Sequence, residues 1–182
     1  PEMDAKVKKR FEDGQSAPLS WSPTEGGKSS IVCFRDSLTE DLGPDPTGDR
    51  FNAIADQMMV GNYYPPDAVQ FFGLHQDENR TIKPGDRIQQ RAPFGPLGFW
   101  SMVEIIAAER TENECRIGYV TTKKHHGRGI WSATLNRKNE KLTIKVESIA
   151  NPHSFMFWAG LPFARALQLR ARRRALEEFK KL

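Results

Sequence analysis

Between residues 140 and 149 apolar side chains recur at every second position. Leu142, Ile144 and Val146 fall on one face, and Thr143, Lys145 and Glu147 on the other. That period belongs to a β-strand with one dry face and one wet face. Soon afterwards comes a broadly apolar stretch, 155–169 (FMFWAGLPFARALQL), which grades into an arginine-rich run ending at Leu182. The spacing predicts a long helix over roughly Ser154 to Lys181, with Asn151 and Ser154 as candidate caps and Pro162 as an early kink. Its stripe runs through Ala164, Leu167 or Gln168, Ala171, Ala175, Phe179 and Leu182. A sheet with one apolar face needs a cover, and this helix is the only element long enough to provide it. About 28 helical residues span about 42 Å, enough to cross a small domain.

The rest of the chain supplies the sheet. Residues 99–110 (FWSMVEIIAAER), 115–122 (CRIGYVTT) and 130–137 read as strands, joined by turns at Asn113, at 123–129 and at Lys138-Asn139. Pro84-Gly85 leads into a strand over 86–92, the Pro93–Gly98 cluster makes a turn, and Val69–Leu74 is a shorter strand candidate. Ile31–Phe34 reads as the first strand and Leu42–Gly48 as a breaker. Phe51, Ile54, Ala55, Met58 and Met59 then recur at helical spacing, with Thr47 or Asp49 as cap and a stop by Gly61. Residues 3–13 suit a short charged helix, and 14–29 a Ser/Pro/Gly-rich arm. The organisation expected is an arm over residues 1–30 and one α+β domain over 31–182, a curved antiparallel sheet wrapped around the terminal helix. Such wrapping leaves a hollow, which is a natural apolar ligand site.

The 182 residues can bury a core without metal or disulfide staples. Cys33 and Cys115, 82 positions apart, form neither a disulfide framework nor a metal spacing, so a reducing cytoplasm is expected. No transmembrane run and no signal-peptide pattern is evident. The net charge of +4 resides in residues 165–182, where seven basic residues face two acidic ones. The Arg170–Arg174 run could serve an anion-binding interaction module, or be the solvated face of a packed helix. No nucleic-acid motif accompanies it.

Several residues could carry chemistry. His125-His126 could ligate a metal or act as acid or base, but no Cys, Asp or Glu lies near enough in sequence to complete a metal shell, and a solvated loop or structural pair is the favoured reading. Tyr119 and Thr121 share a strand face with Cys115 and Ile117, so they would offer polar handles inside the hollow or serve as bonded core groups. Trp100, Trp131 and Trp158 are large enough to wall a pocket, although such aromatics are more often core. Glu104 interrupts an apolar strand; a buried carboxylate there would suit acid–base work, and an outer one would pair with Arg87 or Arg91. No Ser-His-Asp arrangement, phosphate loop or Cys-x-x-Cys is present, and Gly127-x-Gly129 has no following helix.

The stretch Gly118-Tyr119-Val120-Thr121 to His125, closing at Gly129, resembles a Gly/Tyr/Thr/His signature of the family catalogued as domain of unknown function nineteen-ninety. Gly160-x-Pro162-x-x-Arg165-x-x-Gln168 resembles that family's Gly-Pro-x-x-Arg-x-x-Gln helix, and Phe51, Ala55 and the Tyr63 region resemble its first helix. Val120 and Thr122 stand where the family has Gly and Leu, and Ile130 and Trp131 where it has paired Glu. The resemblance places the chain distantly within the helix-grip (START/Bet v 1-like, SRPBCC) superfamily and implies a hydrophobic-ligand pocket without implying a reaction. The expectation is a binder of a hydrophobic or amphipathic small molecule, with no cofactor and no metal. Trp100, Glu104, Tyr119, Thr121, His125, Trp131 and Trp158 are its candidate ligand contacts. A cyclase- or hydrolase-like enzyme using Glu104 or His125 is the alternative.

Overall fold

The alternating stretch is strand β7 of a seven-stranded antiparallel sheet in the computed structural model, which describes residues 5–21, 34–94, 97–124, 127–152 and 161–182. In chain order the elements are α1 (Ala5–Gln15), β1 (Phe34–Pro44), α2 (Asp49–Met59), β2 (Gln70–Phe72), α3 (Leu74–Asp77), β3 (Arg87–Phe94), β4 (Leu97–Arg110), β5 (Glu114–Thr121), β6 (Gly127–Lys138), β7 (Lys141–Pro152) and α4 (Leu161–Phe179). The strand order is β1-β7-β6-β5-β4-β3-β2. Strands β2 to β7 are thus sequential neighbours, and β1 crosses to the far edge beside β7.

Period-2 alternation sorts the side chains onto two faces. Ile88, Val103, Ile105, Ile117, Trp131, Ala133, Leu135, Leu142, Ile144 and Val146 point to one face and form a single core with Phe51, Ile54, Ala55 and Met58 of α2 and Phe179 of α4. Each such side chain, fully buried, contributes about 1.5–3 kcal/mol. The other face is covered in part by α1, through Val7 and Phe11, 7% and 4% exposed. Residues 17–21 then run antiparallel to the end of β5, with Leu19 bridging Thr122. The Ala17 carbonyl accepts from Arg87 (2.7 Å), the Pro18 carbonyl accepts from the Lys123 amide (2.9 Å), and the Ser20 amide donates to the Thr121 carbonyl (2.9 Å).

Three local expectations are corrected. The first strand is not confined to Ile31–Phe34; it runs Phe34–Pro44 through the charged sequence RDSLTED, while residues 31–33 lie outside the described residues. An edge strand tolerates this polarity, because β1 pairs only with β7. The α2 cap is neither Thr47 nor Asp49. Asp45, 1% exposed, accepts from the amides of Gly48 (3.1 Å), Arg50 (3.3 Å) and Phe51 (3.0 Å), while Arg137 Nε approaches to 3.5 Å. The Val69–Leu74 strand shortens to Gln70–Phe72 because Leu74 opens α3. Leu182, placed on the α4 stripe, lies past the helix end at 42% exposure, and the chain before Leu161, on which a kink at Pro162 depends, lies outside the described residues.

At the other end of α2, Gly61 adopts φ +80°. Its amide donates to Met58 (3.0 Å) and that of Asn62 to Gln57 (2.8 Å). This is the Schellman arrangement, which only a residue at ease with positive φ can close. It turns the chain back so that Tyr63 and Tyr64 face the sheet. Next to this turn sits His75, 1% exposed, with neither ring nitrogen hydrogen-bonded.

Two stability experiments test this scaffold. Asp45→Ala should cost about 2–3 kcal/mol in chemical denaturation, because it strips a helix cap and leaves Arg137 without its carboxylate; a cost below about 0.5 kcal/mol would refute the capping role. Desolvation lowers the His75 pKa below 6.5, with the Val60 backbone and Asp86 opposing only in part. The unfolded chain therefore takes up a proton that the native state refuses. Stability is lost as pH falls from about 6.5 towards the lowered native value, and His75→Gln should flatten that portion of the stability–pH curve relative to wild type.

Candidate functional site

Trp131 is the centre of an aromatic cluster on the core face. Tyr119, its cross-strand partner on β5, stacks at 5.1 Å between centroids and 17° between planes. Tyr63, delivered by the Gly61 turn, stacks at 5.2 Å and 19°. Tyr64 tilts in at 6.2 Å, and Phe71 of β2 lies 4.8 Å from Tyr63. Each well-placed aromatic pair adds about 0.5–1.5 kcal/mol beyond burial. All three tyrosines of the chain are in this cluster.

Between the cluster and α4 lies a void of about 20 Å³, walled by Met58, Tyr63, Tyr64, Trp131, Ala133, Ile144 and Val146 and roofed by Arg172, Ala175, Leu176 and Phe179. That is room for about one water molecule. It is far short of the ~300–1,000 Å³ of a ligand site. Among the described residues, the roomy hollow expected from the sequence is reduced to this void at the Arg172–Phe179 end of α4. Trp131 and the Tyr63-Tyr64 pair rise from below, and Phe179, 4% exposed, closes it from above. The Tyr63 hydroxyl is buried and has no hydrogen-bond partner.

Ionisation of the tyrosines is suppressed. Burial pushes Tyr64 up to about 12, with the Arg172 charge and a hydrogen bond from Trp131 opposing. Tyr63 is raised well above 10.0, first by burial and then by its neighbours Tyr119 and Tyr64. Tyr119 is raised by burial and by Tyr64, and lowered in part by a hydrogen bond with Gln90. The three tyrosines are thus protonated at neutral pH, and the surface of the void itself is apolar.

The candidates named from sequence separate. Trp131 walls the void and Tyr119 stacks directly behind it. Thr121 has its hydroxyl engaged elsewhere, 2.6 Å from the Ser20 hydroxyl and accepting from the Gly129 amide (2.8 Å). Gly129 itself is required for close approach: a Cβ there would fall 1.9 Å from the Ile149 carbonyl oxygen. Trp100 and Glu104 lie on the opposite face. Arg10 of α1 and Arg91 stand over the Trp100 ring at 5.4 and 5.6 Å, and Glu104 pairs with Arg87 at 2.7 Å. The acid–base alternative thus finds Glu104 ion-paired on the far side of the sheet from the void. His125 and Trp158 lie outside the described residues, as does His126, and of the Arg165 and Gln168 side chains nothing is described.

Sequence reasoning missed Tyr64 and Phe71, met Phe179 only as part of the helix stripe and Arg172 only within the Arg170–Arg174 run, and met Tyr63 only through the family resemblance. The available signal was the Gly61-Asn62-Tyr63-Tyr64-Pro65 order: a helix stop followed at once by paired aromatics. Among the described residues no three His, Cys, Asp or Glu side chains gather as metal ligands would. Likewise no helix there is long and apolar enough to cross a membrane.

A family model described as a domain of unknown function, DUF1990, matches residues 32–178. No curated protein sequence matches. Among solved structures, the hypothetical protein jhp0584 from Helicobacter pylori superposes with a TM-score of 0.53 at 12% identity, over 99% of this chain and 94% of that one. The protein TTHA0849 from Thermus thermophilus gives 0.53 at 10%, over 82% and 95%. Human STARD10 gives 0.51 at 10%, over 100% and 81%. Identity this low speaks for the fold alone: a helix-grip, START/Bet v 1-like domain.

Spectrophotometric titration at 295 nm tests the cluster. No tyrosinate absorbance should develop around pH 10, and the first ionisation should wait until about pH 12 or until the protein unfolds in alkali. A normal step near pH 10 in folded protein would show that at least one of these tyrosines is solvated.

Proposed function

The chain belongs to the DUF1990 family, a domain of unknown function here carried on a helix-grip fold, and from that premise we propose that it binds a small apolar or amphipathic molecule between the sheet and α4. The observation that carries the reading is the Tyr63 hydroxyl. It is buried without a partner beside a void walled by aromatic rings. A buried hydroxyl left unpaired costs about 1–3 kcal/mol, and a ligand polar group, or a water in its absence, removes that cost. Tyr63, Tyr64 and Trp131 supply the apolar contact, Tyr119 backs Trp131, and the Tyr63 hydroxyl is the orienting group.

Entry requires α4 to move. Among its described side chains only Ala175 and Phe179 are buried, and Leu169 stays 44% exposed. Its ion pairs to the rest of the domain, Arg174–Asp67 (3.2 Å) and Lys180–Glu40 (3.5 Å), lie at the surface, where such pairs contribute little. Lifting the Ala175–Phe179 side exposes apolar surface worth about 2–4 kcal/mol. A ligand burying roughly 200 Å² recovers about 5 kcal/mol at 25 cal/mol per Å². The balance favours binding and lowers the apparent affinity by the cost of opening.

Protein purified without detergent, examined by native mass spectrometry and by fluorescence with the neutral dye N-phenyl-1-naphthylamine, should bind at one site. Ala175→Phe fills the void from the roof and should weaken the dye at least tenfold while circular dichroism stays unchanged. Undiminished binding by a folded Ala175→Phe protein, or a wild type that takes up neither dye nor copurifying molecule, would end the proposal.

A further inference from the structure

Four buried side-chain nitrogen and oxygen atoms lack a hydrogen-bond partner among the described residues. Three of them flank the Gly61 turn: both ring nitrogens of His75 and the hydroxyl of Tyr63. The backbone closes on the His75 ring from two sides. A Cβ at Gly61 would lie 3.2 Å from its Nε2, and one at Gly73 would lie 2.7 Å from its Nδ1. Buried polar groups without partners are costly and uncommon in folded domains, so three of them around one turn mark a place where closure is dearly held.

A proton on His75 makes closure costlier still. The charged ring has two donors to satisfy and a charge that burial disfavours. The surrounding groups supply no free counter-ion. Asp86 favours the charged ring, but its oxygens already accept from Arg80 Nη1 (2.7 Å), Arg80 Nη2 (2.8 Å) and the Lys83 amide (2.9 Å). Arg80 itself opposes a second positive charge, and Asp77 of α3 is exposed. Glu78 pairs with Arg80, and Arg87 turns to Glu104 on the outer face. From α2 the ring meets the backbone of Val60 and Gly61, which carry no ionisable side chain.

The elements around the ring are held unequally. The loop after α3 is braced by the Arg80–Asp86 pair and tied to β4, with the Gly85 amide donating to the Ile105 carbonyl (2.8 Å) and the Ile105 amide to the Asp86 carbonyl (2.9 Å). The bonds that close the Gly61 turn, to Met58 and Gln57, stay within the end of α2. We propose that protonation of His75 releases the Gly61 turn, so that mild acid draws Tyr63 and Tyr64 away from Trp131 and parts one wall of the void. Opening gives water to all three orphaned atoms at once. It needs no ligand, so it stands or falls separately from the binding reading.

Amide hydrogen exchange by NMR on the full chain tests this, with rates corrected for intrinsic exchange. Between about pH 7.5 and about pH 5.5 the opening constants of the Gly61 and Asn62 amides should rise about threefold to tenfold, about ten being the most one proton supplies when the opened ring titrates near 6.5. The rise should be insensitive to dilute urea, the mark of a local opening, whereas the β6 and β7 amides should follow global unfolding. His75→Gln should abolish the pH dependence of the two turn amides, and His75→Phe should do the same with the pocket filled by an apolar ring. Tyr63→Phe removes one orphaned atom from the closed state and should lower the opening constants about threefold or more at both pH values. The inference falls if the turn amides show no acid-dependent opening, if they share the protection and urea dependence of the strands, or if the pH dependence survives in a folded His75 variant. Opening constants unchanged by Tyr63→Phe would show that Tyr63 does not travel with the turn, and would overturn it too.

Discussion

Trp131 holds together two parts of the chain that the sheet alone would leave unconnected. Its indole takes Tyr119 from the neighbouring strand and Tyr63 from the loop after α2, both nearly parallel to it. The first contact is set by strand register. The second depends on a turn at Gly61 that only a glycine makes at low cost. The loop, the sheet centre and the roof helix thus converge on one ring. A change at Trp131 would loosen the core and unwall the void together.

Strand parity then decides which residues can meet. Along β4, Val103 and Ile105 join the core, while Trp100, Met102 and Glu104 look the other way. On that other face the amino-terminal segment provides much of the cover: Arg10 lies over Trp100, Met102 abuts Gly14, and Arg87 links Glu104 to the Ala17 carbonyl. This segment falls before residue 32, where the match to the family begins. It gives Glu104 and Trp100 structural partners and keeps their chemistry apart from the aromatic cluster.

The closed state of the site follows from side-chain size. Among the described residues, Trp131, Tyr63, Tyr64 and Phe179 leave a void of about 20 Å³ beneath the last turns of α4. Opening it means moving α4, whose described apolar contact is made by Ala175, Leu176 and Phe179. A ligand has to repay that movement. The other face, ordered by ion pairs and α1, need not change.

The sequence by itself determined the sheet order from β3 to β7, helix α2 with its stop at Gly61, and the presence of a long covering helix. These rest on local periodicity and turn chemistry, which act over a few residues. The Tyr119–Trp131 pairing was within reach as well, since both ends of that hairpin alternate cleanly. The charged strand β1 was not, because its stability comes from a partner about a hundred residues away. Asp45 as the α2 cap escaped notice because it reaches its amides from three to six positions upstream. Only tertiary structure decided that Glu104 faces away from the void, that Arg172 alone among the described helix arginines lines it, and that the described end of the hollow is so small. Those outcomes depend on how whole elements rotate and how their volumes add, which no local pattern encodes.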